Sequence, residues 1–300
     1  MEIIEKSVLS TDGKHYLQGK IYLPEGEAKG YFHIVHGMSE HMGRYDKFMG
    51  KTAEAGYICF GYDHLGHGKT AAEGELGFIA SRNGWKYLCS DVEKFSSAVM
   101  AEYGKKPYYL MGHSMGSFIV RLAVTMGAEP DRLIVMGTGG KNPAADAGLT
   151  IISIMKKLRG EKYVSKFIDN MAFGSYNKRF KEDDDKAWLT TDVSIRDEYR
   201  ADPISGYKFT LSAMHDLITL NRDSNADRTF EATPKDMPIL LVSGTDDPVG
   251  DYGAGVKQVL ENYLKAGNKA EMILYDGCRH EILNDICCPK TTKDILGFIS

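Results

Sequence analysis

The pentapeptide Gly112-His113-Ser114-Met115-Gly116 stands directly after the apolar run at 108–111 and directly before a helical pattern at 118–126. In that setting the serine occupies a tight strand-to-helix turn, and the two glycines leave room where side chains would collide with neighbouring backbone. A serine hydroxyl is a poor nucleophile until a base takes its proton, and the base needs a carboxylate to orient it. Downstream, the run at 270–275 ends in Asp276-Gly277-Cys278-Arg279-His280-Glu281, and His280 is the only histidine after His215. The run at 239–243 ends in Gly244-Thr245-Asp246-Asp247-Pro248-Val249. Asp246, Asp247 and Asp251 share this turn; Asp247 is favoured as the partner of His280, with Asp246 capping the loop. The order nucleophile, acid, histidine is then the one expected. Acyl transfer also needs two preorganised donors for a developing oxyanion. The N–H of Met115, next to the serine, is one, and the N–H of Met38, in the turn His36-Gly37-Met38 after the run at 30–35, is assigned as the other.

These residues need a scaffold that brings strand ends together. Apolar runs at 30–35, 57–62, 108–111, 133–136, 239–243 and 270–275 each stop at a glycine or aspartate turn. Four to six residues rich in Val, Ile, Tyr and Phe read as strands buried on both faces. Helical patterns lie between them, at 45–55, 84–103, 115–127, 252–266 and 289–299. Such alternation predicts right-handed crossovers and a mostly parallel sheet flanked by helices, an α/β fold. Residues 3–10 and 16–23, joined by Thr11-Asp12-Gly13-Lys14, predict a leading hairpin. The rhythm breaks at 142–238, which carries a helical stretch at 149–158 and the charged run from Lys181 to Lys186 but no glycine-terminated strand. That segment is read as a mainly helical cap inserted after the sixth strand, leaving 1–141 and 239–300 as the core.

Composition bounds the partners. The 300 residues are 43% hydrophobic and 26% charged, which suits a globular chain and excludes disorder. Lys+Arg 37 against Asp+Glu 41 gives a net charge of -4, no footprint for nucleic acid. No stretch approaches the roughly 18 apolar residues of a membrane span, and the first eleven residues lack a signal-peptide pattern; a cytoplasmic location is expected. The five cysteines (Cys59, Cys89, Cys278, Cys287, Cys288) show no paired spacing and are read as reduced thiols. Histidines at 33, 36, 41, 64 and 67 form no metal-binding pattern, His33 and His36 falling on opposite strand faces, so no metal is expected. Ser153 to Lys156 satisfies S-x-x-K without its partner motifs. No phosphate-binding glycine loop is present, so no nucleotide cofactor is implied.

Several segments then converge on one family. His36-Gly37-Met38-Ser39-Glu40-His41 with Arg44-Tyr45 resembles the HG-x-x-EH-x-x-RY segment of the monoacylglycerol lipase and lysophospholipase branch of the α/β-hydrolases. Asp63-His64-Leu65-Gly66-His67-Gly68 resembles its D-H-x-G-H-G strand end, and residues 112–116 match its G-H-S-M-G elbow. Residues 199–203 (YRADP) are similar to a motif that closes its cap, and the match at 244–249 puts the acid on Asp247. The resemblance spans roughly residues 28–290 and departs at Ser117, where many members carry a third glycine. It implies an α/β-hydrolase fold and a serine carboxylic-ester hydrolase acting on monoacylglycerol, lysophospholipid or short-chain esters, with no cofactor. Ser114 would attack, His280 act as base and Asp247 orient it, with Met38 and Met115 N–H groups holding the oxyanion.

Two further readings share these residues. The same triad cleaves amides and thioesters, and a peptidase needs an acidic anchor for an amino terminus, which the run from Lys181 to Lys186 would supply only if it faced the pocket. A ligand-binding protein that kept the fold without turnover is the other. In the cap, the stretch at 149–155 is apolar nearly all round and must cover something: the core, an acyl chain or a lipid surface. Met155, Met171 and Met214 are candidates for a deformable pocket lining.

Overall fold

A computed structural model describes residues 1–180 and 184–300. The strands are β1 (Glu2–Leu9), β2 (Tyr16–Leu23), β3 (Gly30–Val35), β4 (Tyr57–Tyr62), β5 (Tyr108–His113), β6 (Arg132–Met136), β7 (Ile239–Gly244) and β8 (Ala270–Tyr275). They form an eight-stranded sheet in the order β1-β2-β4-β3-β5-β6-β7-β8. β1 and β2 are the predicted hairpin; Asp12 Oδ1 accepts from the N–H groups of Lys14 and His15 and Gly13 takes a positive φ, which closes the turn. β2 joins β4 antiparallel, and every pairing from β4 to β8 is parallel.

Parallel strands need crossovers, and helices supply them. α1 (Asp46–Glu54) follows β3, α2 (Gly84–Tyr103) follows β4, and α3 (Met115–Thr125) follows β5. After β6 come α4 (Ala145–Arg159), α5 (Lys166–Phe173), α6 (Val193–Ala201), α7 (Leu211–Ser224) and α8 (Asp227–Ala232), with no strand among the described residues before β7. α9 (Ala254–Lys265) and α10 (Cys288–Ile299) complete the chain.

The strand runs carry no polar alternation because both faces are covered. In β5, Tyr108 and Leu110 join the layer formed with α2 and α3, whereas Tyr109 and Met111 join the layer formed with α1 and α10. β6 and β7 alternate in the same way. β8 departs from the prediction of two-sided burial: Glu271 is exposed and Met272 to Leu274 are half-buried, because β8 is the sheet's last strand and the helices overhang it only in part.

The chain order β3, β4, β5 sets β4 on one side of β3 and β5 on the other. Crossovers leave β3 in opposite directions, so a crevice opens at the carboxyl ends of β3 and β5. The turns after both strands are those singled out in the sequence.

Two features correct the sequence expectations. The helix expected at 149–158 begins at Ala145, since Ala144-Ala145-Asp146-Ala147 are good helix formers and Asp146 complements the helix dipole. The five cysteines are not all reduced thiols: Cys278 and Cys287 are joined as a disulfide, with Cα atoms 6.4 Å apart. The turn after β8 folds back towards the start of α10, a proximity that sequence spacing does not reveal. Cys59, Cys89 and Cys288 are free.

Candidate active site

Ser114 stands between β5 and α3 with φ 54° and ψ -119°, a backbone conformation costly for a residue with a Cβ. The surroundings hold it there. Its N–H donates to Met136 O (2.9 Å), and a Cβ on Gly112 or Gly116 would run into Gly116 O or Val35 O. Ser117, the departure from the family elbow, donates its hydroxyl to Ser114 O at 2.5 Å and is accommodated. Met115 is the first residue of α3, so its N–H has no acceptor within the helix.

Of the three aspartates in the turn after β7, Asp247 is the one that reaches His280. Its Oδ1 lies 3.0 Å from His280 Nδ1 and accepts from Val249 N–H, and its Oδ2 accepts from Ser243 Oγ. Burial disfavours the Asp247 carboxylate, which is fully buried, but the His280 pair and these hydrogen bonds outweigh it and lower its pKa. Asp246 and Asp251 are exposed. His280 is 2% exposed, its N–H donates to Trp188 O, and its ring lies against those of His113 and Trp188.

A buried polar network that the sequence reading left without roles lies beside this pair. Glu40 Oε1 accepts from Gly37 N–H (2.6 Å) and Tyr45 O–H (2.9 Å) and lies 3.2 Å from His113 Nδ1. Arg44 bridges Glu40 and Glu281, gripping the latter through two nitrogens at 2.6 and 2.7 Å. Burial opposes both the Glu40 carboxylate and the His113 imidazolium. Their mutual attraction prevails, holding Glu40 well below the usual carboxylate range and raising His113. One carboxylate thus joins the turn after β3 to the elbow and, through Arg44, to the histidine loop.

These turns open on a cavity of about 790 Å³, within the range of small-molecule sites. Met38, Ser114, Met115 and His280 face it from the sheet side; Phe118, Ile151, Phe173 and Leu217 are among its apolar walls. Met171 and Met214 line it as expected, whereas Met155 packs on the core. Of the charged run, Lys181, Glu182 and Asp183 lie outside the described residues. Asp184 pairs with Arg196 and Arg200, and Asp185, at the cavity, is neutralised by Lys186 and Arg200. The S-x-x-K serine, Ser153, donates to Leu149 O within α4.

The histidines read as an unlikely metal set are engaged otherwise. His33 stacks on Phe60 with Nδ1 3.0 Å from Tyr108 O–H, His36 Nε2 accepts from His64 N–H, and His67 Nδ1 donates to Leu65 O.

The comparisons with known proteins agree with this geometry. The family described as serine aminopeptidase, S33, matches residues 26–286. The chain is 25% identical to the monoglyceride lipase of Rattus norvegicus over 98% of its own length and 88% of the relative's. It is also 25% identical to the monoacylglycerol lipase of Mycolicibacterium smegmatis, over 93% of each chain. Among solved structures, a thermostable carboxyl esterase from Bacillus coagulans in complex with glycerol superposes with a TM-score of 0.94, at 28% identity over 100% of this chain and 98% of the other. The chain therefore belongs to the serine aminopeptidase S33 family and is an α/β-hydrolase of the branch that holds the monoglyceride lipases.

Proposed function

We propose that the protein hydrolyses carboxylic esters through an acyl-enzyme on Ser114. His280 Nε2 takes the hydroxyl proton as Ser114 Oγ bonds to the acyl carbon, and Asp247 holds the imidazole and offsets its charge. The N–H groups of Met38 and Met115 receive the oxyanion, each worth roughly 3 to 4 kcal/mol in comparable sites. Collapse breaks the ester bond, and the leaving alcohol takes the proton from His280. Water, deprotonated by the same histidine, then attacks the acyl carbon and frees the acid and Ser114.

What carries this reading is that Ser114, on its strained elbow, shares one largely apolar cavity with a histidine backed by a buried carboxylate. The substrate class we assign is monoacylglycerol, lysophospholipid or a short-chain ester, its acyl group lying under residues 142–238, which act as a cap. Ile154, Leu158, Phe167 and Met171, exposed on α4 and α5, would meet a lipid surface transiently. Among the described residues no helix is long and apolar enough to cross a membrane. A peptidase reading is less well supported, since Asp185, the cavity carboxylate of the charged run, is already paired.

The test is a panel of esters with acyl chains of increasing length, an aminoacyl amide and an acyl thioester, assayed with the parent and with Ser114→Ala. Ester turnover lost by several orders of magnitude in the variant is the expected result. Full esterase activity in Ser114→Ala, or amide turnover exceeding ester turnover, would refute the proposal.

A further inference from the structure

Residues 199–207, which include the YRADP motif and run from the last turn of α6 into the loop before α7, touch the turn that carries Met38. Ser39, the next residue, sits at φ +55° although it is not a glycine, a conformation that persists only where its surroundings enforce it. The enforcing contacts come largely from residues 199–207. Ser39 O accepts from Gly206 N–H at 2.9 Å and from Tyr199 O–H at 3.1 Å, and Ser39 Oγ donates to Tyr207 O at 2.7 Å.

Two residues on, His41 Nε2 lies 2.8 Å from Asp202 Oδ2. Asp202 is itself set by Ser205 Oγ and Ile204 N–H. The Arg44 guanidinium lies over the Tyr199 ring, 4.7 Å from its centre. Ser39 is 5% exposed, so these bonds are made out of water, where an unmade one is costly.

We infer that Tyr199, Asp202 and the backbone of Gly206 and Tyr207 are positioning residues for ester hydrolysis: they fix the left-handed Ser39 turn and thereby aim the Met38 N–H at the oxyanion. The inference rests on the assignment of Met38 made above. Its consequence is that the insertion is not a passive roof. Through residues 199–207 it is part of the oxyanion device, so lifting that stretch would dismantle the donor, and substrate access must be sought towards α4 and α5. Glu40, itself in this turn, closes it through Gly37 N–H and ties it to His113 in β5, so the turn is gripped between core and insertion.

Tyr199→Phe tests this, because it deletes one hydroxyl and keeps the ring under Arg44. Two readings are taken at a temperature well below the melting midpoint of either protein. One is the second-order rate at which a small fluorophosphonate modifies Ser114, which needs no knowledge of the natural substrate. The other is kcat and KM on p-nitrophenyl butyrate. Losing one hydrogen bond that orients the donor is expected to lower the modification rate and kcat together by roughly three- to tenfold, with KM within twofold.

Asp202→Asn, which weakens the grip on His41, is expected to act in the same direction and stands in if the first variant does not fold. Unchanged modification rate and kcat in the variants would overturn the inference. So would a rise in KM alone, because Tyr199 also lines the cavity and such a rise would mark a substrate contact. If the parent itself is not modified at Ser114, it is the esterase reading that fails, and the positioning inference falls with it.

Discussion

Asp247 and Asp246 are chemically identical neighbours whose surroundings give them different work. Asp247 is sealed from water, takes two hydrogen bonds besides that of His280 and holds its charge, whereas Asp246 points outward. Asp247→Asn is expected to lower kcat by about 10⁴-fold on the reading developed above, since an amide stabilises the wrong tautomer of His280. Asp246→Asn is expected to retain most activity; comparable losses in the two variants would remove Asp247 from the mechanism. The candidate triad was legible in the sequence because each member follows an apolar run that stops at a turn. Ser243, Glu40, Arg44, His113 and Glu281 were not, although Glu40, Arg44 and His113 stood in the family-like motifs. What they do depends on partners such as Arg44 and Glu281, 237 positions apart, and only the folded chain brings these together.

At the scale of elements, the strands were the most legible part, because burial on both faces leaves an uninterrupted apolar run. The edge position of β8 and the Cys278–Cys287 bond were hidden, since both depend on what lies next to a segment in space. β3 and the turns after β3 and β4 also carry a chemical cost: His33, His36 and His67 are fully buried and neutral, burial lowering their pKa values to about 3, 3 and 4. The unfolded chain protonates each near pH 6.5. For each, the stability from staying neutral is complete above about pH 6.5 and is lost as pH falls towards the folded value, at about 1.4 kcal/mol per pH unit. His33→Phe isolates one of them, the other groups being common to both proteins. Between pH 7 and 5 the variant is expected to lose about 2 kcal/mol less stability than the parent, measured by urea unfolding. Equal losses would contradict the assignment of a buried neutral imidazole.

For the molecule as a whole, the sequence showed where the alternation of strands and helices breaks but not what the segment between β6 and β7 does. Apart from the apolar stretch at 149–155, its helices follow ordinary amphipathic patterns, and the cavity they help enclose is a product of packing between α4, α7 and α3. On the proposed ester hydrolysis, acyl preference is a property of the assembled walls. Leu217, half-buried on α7 at the cavity wall, is a place to test this. Leu217→Trp is expected to shift the preferred ester to shorter acyl chains while sparing turnover of the shortest; an unchanged chain-length profile would place the acyl group elsewhere.

Central to the proposed hydrolysis is a covalent acyl group at Ser114. Rapid acid quench of the protein during turnover of p-nitrophenyl butyrate, followed by peptide mass mapping, reads this directly. The expected result is a butyryl mass increment on the peptide containing Ser114, absent from Ser114→Ala. Turnover that proceeds with no acylated serine, or with the increment on another residue, would contradict it.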